Sequence, residues 1–163
     1  KQAKSFGFYQ NILQFGPENG ATATIMAAGS DFAEGIIGSH TYLFYNDNLI
    51  TKAKKFNDIY KERTGKYPDG SAAQGYDCIT TICQAIEKAN SVKPDDIMKA
   101  LSGMVVDSLH GAIKIRACDY QGMMPYYWGT TKFVPEYPFP ILTDIFIPDP
   151  EKTYHTCTEI KNN

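Results

Sequence analysis

The fold is decided by residues 55–103, which read KFNDIYKERTGKYPDGSAAQGYDCITTICQAIEKANSVKPDDIMKALSG, and by residues 110–129, which read HGAIKIRACDYQGMMPYYWG. In the first stretch apolar residues recur every three or four positions, which predicts three amphipathic helices, the longest over roughly 71–90. In the second stretch Ile113 and Ile115 alternate with Lys and Arg, which predicts a half-buried strand. The centre of the chain is therefore predicted to be helical and to lead into β-structure.

The flanking sequence predicts further strands. Residues 8–15 and 36–44 are rich in aromatic and β-branched side chains, and residues 126–134 are predicted to form a hairpin with strand 113–117. The connection 103–111 is predicted to be a surface loop. Helices that alternate with strands indicate an α/β fold with a parallel sheet flanked by helices. The strands are few for so many helices, so either the sheet is thin or part of it lies outside this chain.

Composition narrows the class of protein. Hydrophobic residues make up 43% of the 163 residues, and the net charge is −2. The lysines are spread along the chain and form no basic stripe, which argues against nucleic acid or an anionic membrane as the partner. No apolar run approaches the roughly 20 residues needed to cross a bilayer. The chain starts at Lys1 with no signal-peptide core, which fits a mature or excised piece better than a complete translation product.

Four cysteines allow two different arrangements. Cys78 and Cys83 are five residues apart on the predicted long helix, where their side chains diverge, so we expect small buried apolar residues there. Cys118 and Cys157 can form a disulfide that holds the C-terminal tail and implies an oxidising compartment. The alternative is two unrelated free thiols, and the sequence favours neither.

Motifs for chemistry are absent from the sequence. His40, His110 and His155 are far apart, and no zinc-type cysteine spacing occurs, so no metal site is expected. The sequence contains no GxSxG, P-loop, GxGxxG or HExxH pattern, so we expect neither a cofactor nor an enzyme. His110 is expected to be a surface or capping histidine.

Three residues are candidates for contact with a ligand, each with a structural alternative. Glu18 lies in a Gly-Pro-Glu-Asn-Gly turn, where its carboxylate can accept a hydrogen bond from an ammonium group or remain a solvated turn residue. Ser71 can approach a ligand or act as the N-cap of the long helix. Tyr76, on the first turn of that helix, fits either the core or a cleft.

Several short segments together resemble one known family, the periplasmic solute-binding proteins of branched-chain amino acid type, which serve ABC importers. These segments are, in order, QAKSFG at 2–7, FGPE at 15–18, AEG at 33–35, YP at 67–68, AA at 72–73, GYD at 75–77, AIEKA at 85–89, HG at 110–111, IR at 115–116 and DYQ at 119–121. The match covers most of the chain as a C-terminal fragment, less than half of a full member. The part that supplies most of the first-lobe sheet and the carboxylate-binding residues is missing.

The resemblance implies a partial type I periplasmic-binding-protein fold. Full members have two α/β lobes joined by three crossing strands, with a small ligand trapped between them by hinge closure. Mapped onto this chain, residues 1–45 belong to the second lobe, 46–108 form a helical segment of the first lobe, and 109–163 return to the second lobe and end in a C-terminal tail.

The resemblance also implies a function without chemistry. The chain would be part of a periplasmic or extracellular protein that captures an amino acid, or a related small acid or amide, for an ABC permease. Glu18 and Asn19 would contact the ligand from one lobe, Glu18 at its ammonium group, and Ser71 and Tyr76 from the other. A ligand-binding sensor domain is the alternative, and a small-molecule hydrolase lacks a visible nucleophile and base. Helix faces without their sheet are expected to drive self-association.

Overall fold

The computed structural model describes residues 2–7, 22–46 and 50–161. The predicted strand 8–15 and the candidate residues Glu18 and Asn19 lie outside the described residues. The helices are α1 (Gln2–Ser5), α2 (Thr22–Ala28), α3 (Thr51–Thr64), α4 (Gly70–Ala89), α5 (Pro94–Leu101), α6 (Pro150–Thr153) and α7 (Cys157–Lys161), with a 3₁₀ turn at Gly29–Asp31. The strands are β1 (Ile37–His40), β2 (Val105–Ser108), β3 (Gly111–Lys114), β4 (Tyr127–Lys132) and β5 (Ile141–Phe146).

Contacts divide the chain into two compact units. Unit 1 consists of residues 1–43 and 126–147, and unit 2 of residues 44–125 and 148–163. The chain therefore passes from one unit to the other after residues 43, 125 and 147. The sequence predicted boundaries after residues 45 and 108, and which unit belongs to which lobe stays a prediction.

The core of unit 1 is an antiparallel sheet with the strand order β1-β4-β5. Thr131 is buried at its centre, where its hydroxyl accepts a hydrogen bond from the Ile36 amide and donates one to the Ala33 carbonyl. Gly129 permits the close approach of β5, because a Cβ there would lie 2.5 Å from the Thr143 carbonyl oxygen. The close backbone approach at Gly129 and the two hydrogen bonds of the buried Thr131 hydroxyl thus fix the position of β4 in the sheet.

The core of unit 2 lies between α4, α5 and the β2–β3 hairpin. Ala85 of α4 is fully buried against Val106 and Ile113 of the hairpin and against Met104. Along β2 the side chains alternate, with Val106 buried and its neighbour Val105 exposed, as the two-residue period of a strand requires. The small side chain of Ala85 lets the helix approach the hairpin closely.

The ends of the helices follow from local sequence. Asp69, not Ser71, is the N-cap of α4, because its Oδ1 atom accepts a hydrogen bond from the Ala72 amide at 2.8 Å. The N-cap prediction for Ser71 was wrong because α4 begins one residue earlier, at Gly70. Pro94 opens α5, and α3 ends at Gly65, whose φ of 69° is the left-handed conformation that glycine adopts readily.

Two strand predictions were wrong. The connection 103–111 is not a loop, because β2 forms within it and pairs with β3 across a two-residue turn at 109–110. Residues 126–134 do not pair with strand 113–117, since β4 pairs instead with β1 and β5. Strand β3 pairs with β2, its nearer partner along the chain, because closing a short turn costs less chain entropy than closing a longer loop.

All strand pairings among the described residues are antiparallel, whereas the alternation of helices and strands in the sequence predicts parallel ones.

The structure agrees with the predictions for one pair of cysteines and not for the other. Cys118 and Cys157 form a disulfide, with Cα atoms 5.9 Å apart, which was one of the two alternatives. Cys78 and Cys83 are free and exposed, so the expectation that both are buried was wrong. The buried positions of α4 are Ala73, Asp77 and Ala85, and both cysteines lie beside that line rather than on it.

Candidate functional site

The structure separates the two described candidate residues. Tyr76 lines a groove with α3 and is 36% exposed. Ser71, in the first turn of α4, is exposed and does not line that groove. Glu18 and Asn19 cannot be placed, since they lie outside the described residues. Contact of any of these four residues with a ligand stays a prediction.

The groove beside α3 has a volume of about 690 Å³ and combines aromatic rings with cations. Its lining residues are Thr51, Lys52, Lys55, Phe56, Ile59, Tyr60, Arg63, Thr64 and Tyr76. The Phe56 ring lies with its centroid 5.2 Å from that of Tyr76 and 5.8 Å from that of Tyr60. The sequence signal for this groove is the four-residue spacing of Phe56 and Tyr60, which predicts that both lie on one apolar face of α3.

One cation of the α3 groove is held by the β2 strand. The Lys52 ammonium donates to the carbonyl oxygen of Asp107 at 2.8 Å and forms an ion pair with its carboxylate at 3.1 Å. Gln84 of α4 brackets the same residue, accepting from the Asp107 amide and donating to its carbonyl oxygen. These contacts join α3, α4 and β2 at one side of the groove.

A second groove lies between α4 and the β2–β3 hairpin and is mostly apolar. Its volume is about 310 Å³, and it is lined by Gln74, Asp77, Cys78, Thr81, Ile82, Val106, Ser108, Ile113, Ile115, Gly122 and Met124. Cys78 opens into this groove from α4. Chemically it offers hydrocarbon surface with few polar groups.

A buried acid–histidine pair anchors the turn of the hairpin to α4. Asp77 accepts a hydrogen bond from the Leu109 amide at 2.8 Å, and its other oxygen lies 3.0 Å from Nδ1 of His110. The side chain of His110 is only 1% exposed. The prediction of a surface or capping histidine was wrong, because the short turn folds this ring back onto the helix. The pair has a structural role, because both contacts of Asp77 hold the turn against α4.

The end of β1 carries a second buried histidine. His40 is 5% exposed, and its Nδ1 atom accepts a hydrogen bond from the Thr22 amide at 3.0 Å. Burial lowers the pKa of His40 to about 4. Sequence reasoning noted this residue only as remote from the other histidines. The signal that was available is the two-residue period of the strand, which puts His40 on the same face as Ile36 and Gly38.

The C-terminal tail is fixed around Arg116. Its guanidinium group pairs with Asp119 and donates to the carbonyl oxygen of His155, two residues before the disulfide at Cys157. The hydrogen bond from Arg116 holds the pKa of the half-buried Asp119 carboxyl below its usual range. This cluster joins the end of β3 to the tail.

Two kinds of site are not found in the part of the chain that the structure describes. Across residues 2–7, 22–46 and 50–161, no three His, Cys, Asp or Glu side chains gather as they would around a metal ion. Within those same ranges, none of the helices has the length and apolar character that a membrane span needs.

Comparison with known proteins gives matches to one family and one fold. A family model described as periplasmic binding protein matches residues 1–132. A periplasmic binding protein from Burkholderia mallei superposes with a TM-score of 0.78 at 21% identity, over 96% of this chain and 41% of its own. A branched-chain amino acid transporter protein from Rhodopseudomonas palustris gives 0.75 at 19% identity over 96% and 41% of the two chains.

A third solved structure adds a bound ligand to the comparison. It is a solute binding protein of an ABC transporter from another strain of Rhodopseudomonas palustris, in complex with 3,4-dihydroxybenzoic acid, with a TM-score of 0.74 at 24% identity. The match covers 93% of this chain and 42% of that protein. The chain thus spans about two fifths of the length of the solved structures that it matches.

Proposed function

The chain belongs to the periplasmic binding protein family, and from this premise we propose that it takes part in capturing a small amino-acid-like or aromatic-acid ligand for an ABC importer. The family consists of solute-binding proteins and not of enzymes, and its name implies a periplasmic location. The observation that carries the proposal is the family match over residues 1–132, supported by a fold similarity that extends over 96% of the chain.

The class of ligand is proposed from what the similar proteins bind. One of them is described as a branched-chain amino acid transporter protein, and another holds 3,4-dihydroxybenzoic acid. Both kinds of molecule are small and combine a carboxylate with an apolar body. A cleft for such a molecule needs apolar surface and a few fixed polar groups that replace the lost hydration.

The test is a calorimetric titration of the chain, and of the full-length parent where the chain is part of one, with L-leucine and with 3,4-dihydroxybenzoate. We expect one-to-one binding of at least one of them. Native mass spectrometry of the same samples reports any small molecule that the protein already retains. If neither compound binds the parent and no ligand is retained, the proposed function is contradicted.

Glu18 is proposed to bind the ammonium group of an amino-acid ligand. Replacing it by Gln removes a charge-assisted hydrogen bond, so Glu18→Gln in the full-length parent is expected to weaken L-leucine binding at least about tenfold. Binding of 3,4-dihydroxybenzoate, which has no ammonium group, is expected to be unchanged. Glu62→Gln, on an exposed position of α3, is the control. Unchanged leucine affinity in Glu18→Gln removes this residue from the site.

A further inference from the structure

The groove beside α3 has room for a small molecule. Its volume is about 690 Å³, within the range of roughly 300–1,000 Å³ that is typical of small-molecule sites. Every residue that lines this α3 groove belongs to unit 2. A molecule bound in it therefore needs contacts with only one of the two units.

The charge of the α3 groove is of one sign. Three of its lining residues are cations and none is an acid, although the whole chain carries a net charge of −2. The Lys52 ammonium already has a partner in the carboxylate of Asp107. Lys55 and Arg63 form no ion pair or side-chain hydrogen bond with any residue that the structure describes. Two cations of the groove are therefore available to an anion.

Aromatic rings lie between these two cations. Lys55 and Arg63 are eight residues apart on α3, about 12 Å along the helix axis at a rise of about 1.5 Å per residue. Phe56 and Tyr60 lie between them on the same helix, and the Tyr76 ring packs on Phe56 with its centroid 5.2 Å away. The groove thus has an apolar, ring-lined centre and a positive charge toward each end.

We propose that the α3 groove binds a small organic anion that has an aromatic body and an acidic group at each end, such as an aromatic dicarboxylate. The rings of Phe56, Tyr60 and Tyr76 contact the aromatic body, since aromatic groups attract one another in offset and edge-to-face arrangements. Lys55 and Arg63 pair with the two acidic groups through charge-assisted hydrogen bonds. This site goes beyond the proposed function and does not depend on it, because the groove lies entirely within unit 2.

Three rigid probes separate the contribution of charge from that of the rings. Biphenyl-4,4′-dicarboxylate carries two acidic groups, biphenyl-4-carboxylate carries one, and biphenyl-4-carboxamide carries none. Calorimetric titration of the chain is expected to give the tightest binding for the diacid and the weakest for the amide. Added salt is expected to weaken binding of the diacid most, because salt screens its ion pairs.

A double variant and a matched control test the two cations. Lys55→Gln/Arg63→Gln removes both and is expected to weaken binding of the diacid about tenfold, with little change for the amide. Lys54→Gln/Lys66→Gln changes the net charge equally but alters two exposed lysines that do not line the groove, so its affinity should match that of the unmodified chain. Nuclear Overhauser effects between the diacid and the Tyr76 ring are expected in NMR spectra of the complex.

Other results overturn the proposal. Absence of binding, equal affinity for the diacid and the amide, or an equal loss in both double variants shows that the groove cations do not select the ligand. A tetraglutamate peptide that binds as tightly as the diacid assigns the groove to acidic polypeptide segments instead. Binding that the chain shows and the full-length parent lacks means that the rest of the parent covers the groove. Each of these results leaves the proposed function standing, because that function is tested with different compounds.

Discussion

The neutral state of His40 couples the stability of unit 1 to pH. Its folded-state pKa of about 4 lies below the ordinary value of 6.5 because burial disfavours the charged ring. Between these two values the unfolded chain binds a proton that the folded chain excludes. The contribution to stability is therefore complete above pH 6.5 and is lost as the pH falls from 6.5 towards 4.

The size of this effect can be measured by urea unfolding at pH 7 and at pH 4.5. We expect His40 to account for about 2.5 kcal/mol of the decrease in unfolding free energy between them. His40→Asn has no imidazole to protonate and should lose less stability over the same interval by that amount. His155→Asn, at an exposed position, is the control and should follow the unmodified chain. Parallel curves for the His40 variant and the unmodified chain would show that burial of this ring does not control the pH response.

At the scale of elements, α4 organises unit 2. It begins at the Asp69 cap, contributes Ala85 to the core, holds the hairpin turn through Asp77 and ends at Asn90 in the left-handed conformation. Each of these contacts lies at a different turn of the helix. The residue at which α4 begins therefore determines whether all of these contacts can form.

The cap of α4 can be tested by two neighbouring substitutions. Asp69→Ala leaves the Ala72 amide without its acceptor and is expected to cost about 1 kcal/mol of unfolding free energy. Ser71→Ala, two residues later, removes an exposed side chain with no capping role and should change stability by less than about 0.5 kcal/mol. Chemical denaturation of both variants gives the comparison. The reverse order of effects would restore Ser71 as the cap.

The helices were predictable because their signals are local. The apolar spacing, Gly65 as a stop and Pro94 as a start all lie within a few residues of the structure that they determine. Strand β2 was missed because its residues do not alternate by polarity: Val105 is apolar but exposed, and Ser108 is polar but buried. The family and fold class were confirmed, since many short segments in a fixed order carry more information than any one of them.

The candidate site was less predictable than the fold, because contacts between distant residues decide it. The pairing of His110 with Asp77 spans 33 positions, and that of His40 with Thr22 spans 18. Neither pairing leaves a periodic or motif-like signal near either residue. Cys78 was placed wrongly for the same reason, since the exposed side of α4 depends on what packs against the helix.

At the scale of the whole molecule, apolar side chains of α4 are left in contact with solvent. Ile79 is 64% exposed and Ile82 is 46% exposed, on the same helix as the half-exposed Tyr76. The chain also spans only about two fifths of the length of the structures that it matches. Contiguous exposed apolar surface favours association, so we propose that the chain by itself self-associates through α4.

Sedimentation velocity tests this at several protein concentrations. The unmodified chain is expected to sediment as an oligomer, and the double variant Ile79→Lys/Ile82→Lys to shift toward the monomer because charge is placed on the associating face. Val92→Lys, at a 78% exposed position outside α4, is the matched control and should leave the distribution unchanged. A monomer at all concentrations for the unmodified chain contradicts the proposal.

The disulfide has a consequence for how the chain can be cut. Cys118 and Cys157 are separated by 39 positions, and residues 126–147 between them belong to unit 1, whereas both cysteines belong to unit 2. The bond therefore closes a covalent ring that leaves unit 2, runs through all of β4 and β5, and returns. A protease that nicks this ring once, for example after the exposed Lys132 or Lys152, releases no fragment. The nicked molecule keeps its full mass until a reductant opens the bond, so survival in a non-reducing gel reports the ring and not resistance to cleavage.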